Sequence, residues 1–197
     1  TPFPLYFHEL SSKNPELLYE DDKVLVRTIP LQHRVYTNGF LFQEKEGERR
    51  LNMDAIAQYP EIEVCDYQNI KNGKDITLEN GKTIANAELT FEPHRPQSYA
   101  YCSDTVYLED LATEIRGTRV IYHESTFLKI NEELAAKTMH ATAYQAGLVA
   151  KNAQSEALIL GHYSSRYPDV NMFKQEAQEV FKNVFLAEDG KKFVFEN

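Results

Sequence analysis

The sequence of 197 residues has only two cysteines, Cys65 and Cys102. Two are too few for a disulfide framework, so the stapled secreted scaffolds are excluded and a reducing compartment is expected. No apolar run approaches the roughly 20 residues that cross a bilayer. No basic segment leads into an apolar signal core, and no repeat or low-complexity tract is present. Positive charge is also short: 21 Lys and Arg stand against 30 Asp and Glu, for a formal net charge of −9. That balance argues against simple electrostatic binding to nucleic acid, leaving phosphates to be met by metal ions or by a local basic patch. The first residues, "TPFPLYFHEL", include no initiator Met and point to a chain that does not start where its gene starts. What is present is ordinary globular composition, 42% hydrophobic and 26% charged, at a length that suits one domain with a sizeable core. Cys102 reads as a buried strand thiol and Cys65 as a loop thiol.

In the first part of the chain, "LYFHEL" (5–10) and "KVLVRTI" (23–29) read as strands. In "RVYTNGFLFQEK" (34–45), Asn38-Gly39 flanked by apolar residues predicts a hairpin turning at those two positions. Residues 44–97 are charged, with Pro60, Gly73, Gly81, Pro93 and Pro96 and only short apolar runs, so they read as an arm-like insertion. Within it, "KNGKDITLENGKTI" predicts a short strand, an Asn-Gly turn and a second short strand. From residue 98 the pattern becomes regular. Strands are expected at 98–102, 118–122 and 156–160, helices at 106–115, 142–153 and 171–181, and a last strand at 191–196; this alternation predicts an α/β layer arrangement. In helix 142–153, Thr142 and Gln145 form a capping box, and Ala143, Ala146, Gly147, Ala150 and Ala153 share one face that permits close packing on a sheet. The last helix turns the bulkier Phe173, Ala177, Val180 and Phe181 inward.

The chemistry lies where the strands end. Strand 98–102 runs into Ser103-Asp104-Thr105, strand 118–122 into His123-Glu124-Ser125-Thr126, and strand 156–160 into Gly161-His162, while His33 follows strand 23–29 by four residues. The carboxyl edge of an α/β sheet is where loops converge on ligands. His140 lies just before a capped helix, whose free N–H groups favour an anion. Taken singly, each residue also has an ordinary reading: a hydrogen-bonded histidine, Asp104 as the cap of helix 106–115, Glu124 as a loop carboxylate. Taken together, His33, Asp104 and His162 have the chemistry of zinc ligands. His8 and His94 do not join the pattern.

The segments "LQHRVYTNGFLF", "YCSDT", "YHESTF", "MHATAYQA" and "LGHYSSRY" jointly resemble ribonuclease Z, the tRNA 3′-processing endonuclease family of the metallo-β-lactamase superfamily. Its ordered motifs all occur, with 71 residues from His33 to Asp104 and 58 from Asp104 to His162. The resemblance implies the second half of an αββα sandwich with an inserted arm at 44–97. It implies two zincs per complete site, His33 on one, His162 on the other and Asp104 between them. Glu124 and His140 would act as a pair at the leaving group, and Arg166 would meet a phosphate or, alternatively, form a structural salt bridge. It implies a cytoplasmic homodimer acting on precursor tRNA just after the discriminator nucleotide. The His-x-His-x-Asp-His run that supplies most other zinc ligands does not occur in these 197 residues. The chain therefore reads as a C-terminal portion, 1–197 of a single domain, that is incompetent alone. The arm holds six Lys or Arg against ten Asp or Glu over 44–90, and its basic surface is limited to Lys71, Lys74, Lys82, Arg49 and Arg50. Rival expectations are another hydrolase of the same fold, an arylsulfatase or phosphodiesterase, and a non-catalytic self-associating fragment.

Overall fold

The computed structural model describes residues 3–195. They form two compact units, one of residues 3–44 with 97–195 and one of residues 45–96. The first unit opens with strands β1 (Leu17–Glu20), β2 (Val24–Pro30) and β3 (Asn38–Glu44), joined antiparallel. Residues 5–10 are not a strand: they lie irregular and largely exposed, and the sheet edge beside β2 is taken by β1 instead. Asn38-Gly39 is not a turn either. Both residues pair within the ladder, with Pro30 opposite Asn38 and Ile29 opposite Gly39, and the chain reverses over 31–37. The glycine answers a steric demand, because a Cβ there would overlap the Tyr101 carbonyl and sit 3.2 Å from Leu31 Cδ1.

The second unit builds a core of its own. Strands β4 (Arg50–Leu51) and β7 (Thr90–Phe91) pair, as do β5 (Ile76–Thr77) and β6 (Thr83–Ile84), the latter across the expected Asn-Gly turn with Gly81 at φ 82°. Short helices α1 (Met53–Ile56), α2 (Tyr67–Lys71) and α3 (Asn86–Leu89) complete it. Ile56, Ile62, Ile70, Leu78, Ile84 and Leu89 are buried together, and buried Asn86 donates to the carbonyls of Ile70 (2.6 Å) and Lys74 (3.0 Å).

On return, the first unit adds β8 (Ser98–Cys102), β9 (Val120–Glu124), β10 (Ala157–Gly161) and β11 (Val184–Leu186), giving a seven-stranded sheet in the order β1-β2-β3-β8-β9-β10-β11. β3 and β8 are antiparallel, and β8 through β11 are parallel. Where the insertion leaves and rejoins, Glu44 N–H donates to the Gln97 carbonyl and Gln97 N–H to the Glu44 carboxylate, both at 2.8 Å. β10 is buried at every residue, as expected for a strand covered on both faces. Leu158 and Leu160 face the helices α4 (Leu111–Glu114), α6 (Ala143–Asn152) and α7 (Asn171–Gln178), while Ala157 and Ile159 join Val120 on the other face, with Tyr99, Tyr122 and Phe185 packed against them. Helix α5 (Glu132–Thr138) leads into the site. The α/β reading holds. The expected helix over 106–115 is confined to α4; in the segment before it, Thr105 N–H donates to Glu124 and Val106 N–H to the Gln32 carbonyl. Asp104 therefore caps no helix. The final strand is 184–186 rather than 191–196. Phe193 and Phe195 set their rings against Phe185 at 6.0 and 5.7 Å, and Glu196 lies outside the described residues.

Helix α6 forms as its sequence dictates. Thr142 accepts from Gln145 N–H (3.1 Å) and Gln145 Oε1 accepts from Thr142 N–H (2.9 Å). The alanine face is buried, and its tightest approach is to the segment of α7 rather than to the sheet: a Cβ on Gly147 would lie 2.7 Å from Val180 Cγ2 and 2.9 Å from the Ala177 carbonyl oxygen. Gly147→Ala gains about 1 kcal/mol of helix propensity, but overpacking against a backbone atom costs about 1–3 kcal/mol. The variant is expected to unfold at lower urea concentration than the parent chain; an unchanged or higher midpoint would show that α7 yields at no cost.

Candidate active site

Parallel pairing of β9 with β10 sets Glu124 opposite Gly161, so the residue after each strand emerges at the same rim. The expected strand 118–122 is displaced by two residues to 120–124, which puts His123 and Glu124 inside the strand and buries both completely. Glu124 is the hub of the rim. Its Oε1 accepts from Thr105 N–H (2.8 Å) and His140 Nδ1 (2.7 Å); its Oε2 accepts from Thr126 Oγ1 (2.6 Å), Thr126 N–H (3.2 Å) and Ala141 N–H (3.2 Å). A carboxylate offers about four lone-pair sites, so five donors saturate it.

Around that hub, Asp104, Glu124, His140 and His162 each bring one ligand-type atom, all within 4.8 Å of one another. His162 Nε2 stands 3.1 Å from Asp104 Oδ1, and both side chains are open to solvent, 43% and 37% exposed. His162 takes φ 58°, a left-handed conformation uncommon outside glycine and one that clusters at functional sites. His33, from the 31–37 connection, is not in the four-group cluster. Its ring centroid is 4.9 Å from that of His140, and its Nδ1–H donates to the Met139 carbonyl at 2.9 Å. Met139 is itself left-handed (φ 62°) and caps α5, which turns that carbonyl outward.

The donor chemistry fits a metal. His33 gives Nδ1–H to a carbonyl and His140 gives Nδ1–H to a carboxylate, an arrangement that leaves Nε2 as the coordinating atom and fixes the ring. Asp104 and His162 are exposed at the rim, whereas saturated Glu124 has no lone pair to spare. Asp104 and His162, with His33 nearby, thus carry donor atoms that a metal could take, and Glu124 accepts Nδ1–H of His140 beside them. Arg166 places its guanidinium carbon 5.1 Å over the Phe127 ring and donates Nε–H to Ser164 Oγ (3.1 Å). Among the described residues it makes no salt bridge, so its charge faces solvent next to the His140 side of the rim. In the sequence Thr126 stands out only as a motif letter; its signal is a hydroxyl two residues beyond a strand-end carboxylate. Burial pushes the Cys102 thiol up to about 12, which leaves it inert, and Cys65 is exposed.

The chain has the fold of metallo-β-lactamase-type proteins, in part. It matches the metallo-β-lactamase fold protein YhfI of Bacillus subtilis with a TM-score of 0.58 and 15% identity, over 92% of this chain and 52% of that one. It matches human tRNase Z, short form, with a TM-score of 0.53 and 20% identity, over 90% and 45%. In sequence the chain is 40% identical over 195 residues to the ribonuclease Z of Phocaeicola vulgatus, covering 99% of this chain and 63% of that protein. The resemblance to ribonuclease Z thus holds along nearly the whole chain, which spans about 63% of that relative's length. No family model matches the chain. No helix among the described residues is long and apolar enough to cross a membrane.

Two outcomes follow from this geometry. In Glu124→Gln the new amide must point N–H groups at N–H donors whichever way it turns, leaving at least two buried groups unmet, at about 1–3 kcal/mol each. Chemical denaturation should show a loss of about 2–6 kcal/mol; a loss under 1 kcal/mol would mean the network is not formed. His123 donates Nδ1–H to the Glu124 carbonyl (2.7 Å), has no hydrogen-bond partner at buried Nε2 among the described residues, and is held by burial below its ordinary 6.5. The unfolded chain therefore binds the proton more readily. Stability is full above pH 6.5 and falls as pH drops below it. His123→Met should flatten that acid-side slope in unfolding curves; an unchanged slope would assign it to other groups.

Proposed function

We propose that this chain forms the C-terminal part of a zinc-dependent endoribonuclease that removes 3′ trailers from precursor tRNA. The observation that carries the reading is the convergence of Asp104, Glu124, His140 and His162 within 4.8 Å, from four separate segments, in a sequence 40% identical to a ribonuclease Z. His33, Asp104 and His162 would hold zinc, two ions in the complete site. Zinc supplies Lewis acidity that stabilises charge on the phosphoryl oxygens and lowers the pKa of water. The chain's own residues do the rest. Glu124 accepts Nδ1–H of His140 and orients the ring. In its doubly protonated form His140 presents Nε2–H to the 3′-oxygen, delivers that proton as the P–O bond breaks, and is left neutral with Nδ1–H on Glu124. Arg166, lying against Phe127 with its charge in solvent, binds a flanking phosphate.

The insertion 45–96 is acidic on balance, with seven Lys or Arg against ten Asp or Glu, and Lys71 and Arg49 pair with Glu48 (3.7 Å) and Glu92 (2.7 Å). Grip on RNA by this unit is therefore weak. Homodimeric assembly and a cytoplasmic site follow from the resemblance alone.

Three ligands shared between two ions do not hold either one tightly. Titrated with zinc, the isolated chain is expected to bind fewer than two tight equivalents, and two would overturn its incompetence. The full-length protein is expected to release 3′ trailers from precursor tRNA. His140→Ala should slow it about 10²–10⁴-fold, the usual worth of a general acid, with zinc content unchanged. A full-length protein that leaves precursor tRNA intact while turning over aryl sulfates would replace the nuclease reading.

A further inference from the structure

Thr126 stands between the two halves of the rim chemistry. Its side chain is nearly buried, 8% exposed for the residue, and its Oγ1 touches three polar atoms: Glu124 Oε2 at 2.6 Å, His162 Nδ1 at 2.8 Å and His140 Nδ1 at 3.2 Å. A hydroxyl has one proton and two lone pairs. The carboxylate of Glu124 is acceptor-only, and an O···O contact of 2.6 Å requires a proton between the atoms, so the Thr126 proton goes there. The oxygen can then only accept from the imidazoles.

We propose that the Thr126 hydroxyl is a positioning residue that sets the tautomer of His162: with its own proton given to Glu124, it accepts Nδ1–H from His162 and leaves Nε2 bare toward Asp104. The competing arrangement puts the proton on Nε2, directed at Asp104. That contact is longer, 3.1 Å against 2.8 Å, and lies between groups 43% and 37% exposed, where water weakens it. It would also set the Nδ1 lone pair against the oxygen of buried Thr126, where no water can part them, whereas the proposed form sets the Nε2 lone pair against Asp104, where both groups are open to water. Thr126 thus wins. Glu124 reaches His140 directly and His162 through Thr126, so a single buried carboxylate holds both rings in the same protonation pattern. The purpose of this relay rests on the zinc-site reading; its existence does not.

The test is ¹⁵N NMR of the imidazoles in the metal-free full chain, recorded well above the ordinary histidine value of about 6.5. In the parent chain and in Thr126→Ser, His162 is expected to carry its proton on Nδ1. In Thr126→Val, which keeps the shape and loses the oxygen, that signature is expected to disappear. An Nε2–H signature for His162 in the parent chain overturns the proposal without any variant, as does an Nδ1–H signature that survives in folded Thr126→Val. Zinc competition against a chelator, run on the full-length protein, adds a second readout. Thr126→Val should lose about 10–100-fold in affinity, the range typical of groups that orient metal-binding histidines, and Thr126→Ser should retain it. If the parent chain shows Nδ1–H yet the full-length protein binds no zinc at all, the relay stands and the metal reading falls.

Discussion

A carboxylate with none of its surface exposed can persist in a folded chain only if its lone pairs are met, because an unpaired buried charge costs several kcal/mol. Glu124 meets that condition with donors from three segments that are distant in sequence: Thr105 beyond β8, Thr126 beyond β9, and the His140-Ala141 step before α6. The requirement runs both ways. Glu124 needs those segments in place, and the segments have their orphan N–H groups satisfied by Glu124. The loops that bear Asp104 and His140 are thereby fixed by the same charge, and His162 is tied to it through Thr126, so the rim is ordered from beneath.

The parallel ladder sets the other condition. Because Gly161 lies opposite Glu124, a side chain one residue beyond β10 arrives beside the end of β9, and His162 reaches the site at the expense of a left-handed backbone. Close packing behind the sheet works by the same logic. α6 lies against the α7 segment at Gly147, where no side chain larger than hydrogen fits without displacing Ala177 or Val180. Small residues at the back and a saturated charge at the front hold the layer between them to one geometry.

Much of this was legible in the sequence. Strand 98–102, the capped helix after Thr142 and the polar cargo at strand ends could be read from spacing, because local pattern and tertiary demand agree there. The errors arose where tertiary demand prevailed. Asn38-Gly39 has the composition of a turn, yet its glycine serves the approach of the Tyr101 carbonyl from the neighbouring strand, which no local signal contains. The helix expected over 106–115 is confined to Leu111–Glu114, and the residues before it follow contacts with Glu124 and Gln32. The expected last strand went to Val184–Leu186 because only that segment lies in register with β10. At the site, the residues that converge were all among those singled out, but His33 stands apart from the four-group cluster, and the part played by Thr126 depends on angstrom-scale distances to three neighbours that sequence spacing does not carry.

The paired hydrogen bonds between Glu44 and Gln97 have a consequence for how such a chain can change over time. The two residues sit side by side where adjacent antiparallel strands end, so everything from Lys45 to Pro96 is, topologically, the tip of one oversized hairpin. Loop-closure entropy rises only about 0.6 kcal/mol for each doubling of length, and the tip has its own buried cluster to sustain it. The junction therefore behaves as a splice point: lineages could exchange, enlarge or trim this cassette while the seven-stranded ladder and its rim of imidazoles and carboxylates stay as they are.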